Sequence, residues 1–310
     1  MVKISVIIPV YKAEAFVEKC AMSFKQQTLN EYELIFVNDC SPDNSLQVLR
    51  KIASDDKRIK VLNLQSNVGP MCARVEGYSI ASGEYITFCD SDDIIPANAL
   101  ELMYNKAKDS NADIVAGSIA FKYIDENRET IWKSNLKYGN DRISVFKSLL
   151  KNEFRHNLVG KLIRRDLLLN YNYSNVKGLR YFEDFLLLYQ LVDNSSKCIC
   201  IQDVVYYYIQ TDGSSTMLEM GDRRLDNIAY AHKEVYKLLS KYPDLKPLLI
   251  SNYQLRFYGI IANNKKIRKK FLNKINDYDL SFIMTFSSII RHNDLRGILK
   301  IFIKFILGLF

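Results

Sequence analysis

Blocks of apolar residues alternate with polar ones along the first third of the chain. Lys3–Val10 carries Ile4, Val6, Ile7 and Ile8 and stops at Pro9. So continuous an apolar run predicts a strand buried on both faces, as in a parallel sheet. In Glu14–Gln27, Phe16, Val17, Cys20, Ala21 and Phe24 share one stripe and predict a helix. The same alternation continues through a strand at Tyr32–Asn38, a helix at Leu46–Ser54, a strand at Ile59–Asn63 and a helix within Gly69–Ala81. It ends with a strand at Tyr85–Cys89, a helix at Ala97–Ser110 and a strand at Asp113–Gly117. Strands separated by short helices imply βαβ units: an α/β, Rossmann-like, mostly parallel sheet with helices on both faces. Beyond residue 118 the pattern loosens. Arg142–Asn152 and Glu183–Val192 read as helices and Cys198–Ile209 as a strand, and helices dominate from Leu225.

Open α/β sheets bind ligands beyond the carboxyl ends of their strands. Pro9-Val10-Tyr11, Asn38-Asp39, Asn67-x-Gly69 and Asp90-Ser91-Asp92 all fall at such ends. The last is the most telling, because an apolar strand ends there in Asp90, Asp92 and Asp93. Burying such a cluster is costly unless something neutralises it. Hard oxygen ligands suit Mg²⁺ or Mn²⁺, which usually share their coordination with substrate phosphates. Asp and Ser are also ordinary turn residues, so a solvated turn fits the same letters.

Composition changes this picture only at the C-terminus. The chain is 48% hydrophobic and 25% charged, ordinary for a globular protein, with length for one large domain or two modest ones. Its net charge of +8 comes entirely from residues 256–310, where eleven Lys/Arg face three acids. That asymmetry points to a local anionic partner. The six cysteines form no Cys-x-x-Cys pair and fit free thiols in a reducing cytoplasm. The three histidines are far apart in sequence, which argues against zinc; His232 as a third metal ligand competes with a plain helix position. No Gly-x-x-x-x-Gly-Lys or Gly-x-Gly-x-x-Gly loop occurs, which disfavours kinase, NTPase and dinucleotide readings. The N-terminus runs straight into a strand, so no secretory signal is expected. No apolar run reaches the roughly 18–20 residues of a spanning helix.

Four segments, taken in order, resemble glycosyltransferase family 2. They are Ile4–Glu14, Asn38-Asp39-Cys40-Ser41-Pro42-Asp43, Asn67-Val68-Gly69-Pro70-Met71-Cys72-Ala73-Arg74 and Asp90-Ser91-Asp92-Asp93. The resemblance implies a GT-A fold, a nucleotide-sugar donor and a divalent metal, Mn²⁺ or Mg²⁺. Carried over residue by residue, it puts Pro9, Val10, Tyr11 and Glu14 around the base and ribose. Asp39 would accept hydrogen bonds from the base, uracil, and the other reading of it is an Asx-turn or helix cap. Asn67 and Gly69 belong to the third element, and Arg74 would sit near the diphosphate or bind Asp90. Asp90 and Ser91 would meet the donor, Asp92, with Asp90, the metal, and Asp93 would be a supporting group or a helix cap.

Tyr181-Phe182-Glu183-Asp184-Phe185 resembles the family's Glu-Asp motif, in which one carboxylate deprotonates the acceptor. An apolar setting raises a carboxylate's pKa and improves it as a base. Asp184 is the first choice and Glu183 the alternate; both also suit a helix's first turn. Lys161, just upstream, would face phosphate or acceptor unless it is solvated. Tyr206–Thr216 resembles the family's Tyr-Tyr-Tyr-Arg element, but Ile209 stands where arginine is usual. Val75 likewise stands where Asn is common.

The expected organisation is a nucleotide-sugar-binding half (1–117), an acceptor-binding and catalytic half (118–220) and a helical C-terminal region (221–310). In the last, Lys265-Lys266-Ile267-Arg268-Lys269-Lys270 precedes Gly297–Phe310, where Arg296, Lys300 and Lys304 recur every four residues against an apolar remainder. Such a tail, across 265–310, suits an anionic membrane surface, and a packed helix at a homodimer contact is the other reading. Nucleic acid would explain the charge but not the apolar ending. The expected activity is inverting transfer of a hexose from a UDP-sugar to a lipid-linked or lipooligosaccharide glycan, by a peripheral protein on the cytoplasmic face of a bacterial membrane. The competing classes are a sugar-phosphate nucleotidyltransferase, which lacks support because Pro9–Ala13 is no glycine-rich loop, and a non-catalytic scaffold.

Overall fold

The computed structural model describes residues 1–169, 173, 179, 181–210, 222–263, 270, 273 and 277. The tail beyond residue 277 and residues 211–216 of the Tyr206–Thr216 element lie outside the described residues.

Among the described residues, eight strands form one mixed sheet. β1 (Ile4–Val10), β2 (Tyr32–Asn38), β3 (Ile59–Asn63) and β4 (Tyr85–Phe88) run parallel in the order β3-β2-β1-β4. β5 (Ile114–Tyr123), β6 (Arg128–Trp132), β7 (Lys161–Arg164) and β8 (Cys198–Gln210) extend it. β7 enters antiparallel between β4 and the start of β5, β6 pairs antiparallel with the end of β5, and β8 runs parallel along β5. The parallel half is the part the βαβ pattern predicts. The antiparallel strands are short or polar and carry no comparable signal. β5 crosses residues 117 and 118 without a break, so the two expected halves share one sheet.

Side chains of β1 and β2 alternate between two cores, as the pleat requires. Ile7, Ile35 and Val37 face α3 (Pro70–Ser79), α5 (Arg142–Leu150) and α7 (Glu183–Asn194), with α8 (Asp222–Leu239) and α9 (Lys246–Asn263) outside them. Ile4, Val6, Ile8, Leu34 and Phe36 face α1 (Val17–Lys25), α2 (Ser45–Ser54) and α4 (Ala99–Ser110). α6 (Arg165–Leu169) is a single short turn after β7. Helices therefore cover both faces.

Register decides where chemistry can gather. Val10 pairs with Asn38, Asn38 with Asn63, and Ile7 with Phe88. The carboxyl ends of β1, β2 and β4 thus finish on one edge. α3 can lie close to the sheet because Gly77 has no side chain; a Cβ there would come within 2.6 Å of Ile7 Cγ2. That approach brings Arg74, one turn earlier, over the same edge.

Candidate active site

Two chain reversals are laced together at the end of β1. Lys12 takes a left-handed φ of 54°. The next N–H groups then point at the 41–45 loop: Lys12 donates to Ser41 Oγ, Ala13 to Ser45 Oγ and Glu14 to Asp43 Oδ2. Glu14 returns the link, accepting from Asn44 N and Nδ2. Burial works against a charged Asp43, but hydrogen bonds from Ser45, Ser41 and the Glu14 amide outweigh it and hold the carboxyl down to about 2. Of the four residues expected around base and ribose, Tyr11 is exposed and Pro9 half-buried. Val10 sends its side chain into the core and offers only backbone, and Glu14 is engaged with Asn44.

Asp39 is buried, and its two oxygens accept from Val68 N at 2.7 Å and Gly69 N at 2.9 Å. Asn67 Nδ2 adds a bond to the Asp39 carbonyl. Asp39 therefore pins the 67–69 loop at the start of α3, where Gly69 has φ 89°. It is neither an Asx-turn nor a helix cap. Each carboxylate oxygen keeps a second lone pair, so accepting from a base remains open to it.

Arg74 occupies the centre. It is 5% exposed, and its Nη2 donates to Asp90 Oδ1 at 2.7 Å while Nη1 donates to Asp184 Oδ1 at 3.2 Å. Burial alone would lower its pKa, but Asp184, Asp90 and Glu183 more than reverse that and fix it as a cation. The expected pairing of Arg74 with Asp90 is formed.

The carboxylates beyond β4 divide by role. Asp93 is buried and faces away from the donor edge: Tyr206 Oη donates to its Oδ2 at 2.5 Å and Ile209 N to its Oδ1 at 2.8 Å. Asp90 N in turn donates to Tyr206 Oη at 3.1 Å. Asp93 thus straps this loop to β8 and caps no helix. Where the family usually has arginine, Ile209 serves through its backbone. Asp92 reaches solvent, with no side-chain hydrogen bond or ion pair among the described residues. Surrounding protein still strips enough water to raise its carboxyl, and the like charge of Asp90 adds to that. A cation would relieve the Asp92 carboxylate, and with the Asp90 oxygens beside it the donor set fits a divalent metal. No three His, Cys, Asp or Glu side chains gather into a complete metal site among the described residues. A hard cation here would draw its remaining oxygens from phosphate or water.

The acceptor-side carboxylates start α7, after Phe182 turns through φ 65°. Asp184 Oδ2 accepts from Leu158 N at 3.2 Å, so both its oxygens are engaged. Burial raises its carboxyl and Arg74 opposes the rise. Glu183 is buried without a side-chain hydrogen bond among the described residues. Burial, then the charge of Asp184, pushes it up to about 7. Lys161 is not the solvated lysine of the alternative reading. It is 2% exposed and donates to Asn157 O at 2.6 Å, and burial lowers it to about 7. His232 packs between Phe185 and Tyr253 with Nδ1 2.7 Å from the Ile228 carbonyl, a core position that belongs to no group of three metal-ligand side chains among the described residues. All six cysteines are free thiols.

Sequence reasoning missed Tyr206 as the strap of the Asp90 loop and Leu158 N as a support of Asp184. The Tyr206-Tyr207-Tyr208 run was a signal for the first, since alternation puts Tyr206 on the α4 face. A backbone donor such as Leu158 N leaves no trace in sequence.

Residues 5–169 match the model of Glycosyl transferase family 2. The chain belongs to this family. Among its relatives, the glycosyltransferase GlyG of Streptococcus pneumoniae is 26% identical over 85% of this chain and 88% of its own length. A cholesterol galactosyltransferase of Borreliella burgdorferi is 32% identical over 68% of this chain and 61% of its own. The crystal structure of S. aureus TarS 1-349 in complex with UDP-GlcNAc shares the fold, with a TM-score of 0.72 at 20% identity over 90% of this chain and 81% of that one. The family member is a glycosyltransferase with an α/β, GT-A-like fold.

Proposed function

We propose that this glycosyltransferase moves one hexose from a UDP-sugar, with inversion, to a lipid-linked or lipooligosaccharide glycan of a bacterial surface. The observation that carries the reading is the Arg74 bridge. It joins Asp90, at the end of β4 where donors bind in such sheets, to Asp184, at the start of α7. The UDP-GlcNAc complex of the TarS relative in fold supports a uridine donor, and the galactosyltransferase's named cholesterol acceptor supports a lipid one.

In this mechanism Asp184 takes the proton of the acceptor hydroxyl, with Glu183 as the alternate. The oxygen then attacks the anomeric carbon opposite the departing UDP, and the bond to the β-phosphate oxygen breaks. Arg74 keeps Asp184 oriented and supplies fixed positive charge near the diphosphate. Asp39 and the 67–69 loop shape the base end. Asp92, with Asp90, would hold Mn²⁺ or Mg²⁺, whose chemistry is to offset charge on the leaving diphosphate. The basic, apolar-ended segment 265–310 supports a peripheral place on the cytoplasmic membrane face. No helix among the described residues is long and apolar enough to cross a membrane.

The test is release of nucleotide from UDP-, GDP- and CMP-sugars with Mn²⁺, with Mg²⁺ and with EDTA. Metal-dependent release of UDP is expected, and Asp92→Ala should abolish it without altering the melting temperature. Failure to turn over any donor, together with no thermal shift from UDP–Mn²⁺, sinks the proposal and favours the scaffold.

A further inference from the structure

A cleft of about 340 Å³ lies beside the acceptor-side carboxylates, walled by Trp132, Asn152, Phe154, Arg155, His156 and Asn157. It sits at the low end of small-molecule pockets, which run from about 300 to 1,000 Å³. That suits a single sugar-phosphate-sized group better than a nucleotide-sugar. Its place in the chain ties it to the reaction centre: Asn157 precedes Leu158, whose N–H holds Asp184, and Lys161 Nζ bonds Asn157 O and Oδ1.

The charge in this cleft is one-sided. Arg155 lies 4.5 Å from the Phe121 ring and 5.0 Å from the Trp132 ring. Its Nε is sealed from water with no hydrogen-bond partner. Arg256 Nη2 stands 3.4 Å from both ring nitrogens of His156 and 2.8 Å from Asn152 Oδ1. Among the described residues, neither arginine nor Lys161 is ion-paired to a carboxylate. Burial, then Arg256, Lys161, His232 and Arg155, lowers the His156 pKa well below its usual value. Desolvated arginines are normally matched by carboxylate or phosphate. Asp184 acts on Lys161, but Arg155 and Arg256 are left without a carboxylate partner among the described residues.

We propose that the Trp132–His156 cleft binds a phosphate group carried by the acceptor. Arg155 in the wall and Arg256 against His156 and Asn152 match an anion with several charged oxygens, while Asn157 and neutral His156 offer further polar contacts. The proposal rests on reading this side of the molecule as the acceptor side. The phosphate has two possible sources: a terminal phosphate monoester, or a phosphodiester within or beneath the glycan.

Trp132 is the chain's only tryptophan, so its emission reports on this cleft alone. The experiment titrates the full-length protein with glycerol 3-phosphate, glycerophosphoglycerol, glucuronate and glucose at constant ionic strength. A saturable change with the phosphates and none with glucose is expected. Monoester binding alone assigns a terminal phosphate, and comparable diester binding assigns an internal one. Arg155→Gln and Arg256→Gln should each weaken binding about tenfold or more. Arg155→Lys, which keeps the charge, should retain it in weakened form and guards against a variant that fails to fold. No saturable response, tighter binding of glucuronate than of either phosphate, or unchanged affinity in a folded Arg256→Gln protein overturns the proposal. The readout is binding rather than turnover. Phosphate binding without UDP release would sink the function proposed above and leave this site standing, and UDP release without phosphate binding would do the reverse.

Discussion

Arg74 and Asp184 are 110 positions apart in the chain and 3.2 Å apart in space. The bridge joins α3, from the parallel half, to α7, from the half whose pattern is hard to read. Because Arg74 also holds Asp90, one buried cation ties donor edge to acceptor edge.

Arg74→Met should therefore cost both fold and activity. It leaves two carboxylates facing each other without a counter-ion. The loss in unfolding free energy should fall below the roughly 3–5 kcal/mol of a fully buried pair, because Asp90 and Asp184 keep some solvent. Adding Asp184→Asn should recover part of it. Urea unfolding of the two single variants and the double variant measures the coupling; simple additivity would mean that the bridge is not formed in solution.

Asp184 and Glu183 can be told apart by substitution. Asp184→Asn should lower transfer by roughly 10²–10⁴, the usual share of a general base. Glu183→Gln should cost less than about tenfold and change the pH profile near 7, where Glu183 titrates because burial and Asp184 raise it. Initial rates at saturating donor decide between them. The reverse ranking makes Glu183 the base.

At the base end, Asp39→Asn exchanges one acceptor oxygen for an amide that faces the N–H of Val68 or Gly69. A stability loss of about 1–3 kcal/mol is expected from the unmatched donor. UDP affinity, read by calorimetry, should fall as the 67–69 loop loosens. Gly69→Ala gives an independent check. A Cβ there meets nothing within 4 Å, so any loss, about 1–2 kcal/mol, comes from holding alanine at φ 89°. Wild-type UDP affinity in both variants would remove this loop from the donor site.

His156 and His232 should make the fold acid-sensitive. Burial holds His232 down to about 3 and His156 well below 6.5, with Arg256 adding to both. Their folded pKa values are depressed, so below pH 6.5 the unfolded chain binds more protons than the folded one. Stability from these groups is present above 6.5 and is lost as pH falls towards 3. Each contributes a slope of up to about 1.4 kcal/mol per pH unit. Urea midpoints between pH 7.5 and 5 should fall, and His232→Gln should reduce the slope. An unchanged slope would place the acid sensitivity elsewhere.

The sequence by itself determined the parallel half and the edge on which its polar strand ends meet. Ile4–Val10, Tyr32–Asn38 and Tyr85–Phe88 are buried on both faces, so their apolar runs are unbroken, and each ends abruptly in polar residues. Pleat and parallel register then oblige those polar ends to meet on one edge. That is why the letters alone place Asp39, Asp90 and Asp92 on one edge. Tertiary structure alone decided which carboxylates remain open to ligand. The three acids after β4 look alike as letters, yet Asp93 turns away to Tyr206 and Ile209 while Asp92 reaches solvent. It also decided that Lys161 is buried and that Asp39 staples a loop. The Trp132–His156 cleft, too, exists only in three dimensions, assembled from Trp132 of β6 and the segment between α5 and β7. The physical reason is range. Hydrophobic periodicity acts over a few neighbouring residues and is written into the local sequence. Desolvation and charge pairing act between groups a hundred positions apart, whose distance is set only when helices and sheet have packed.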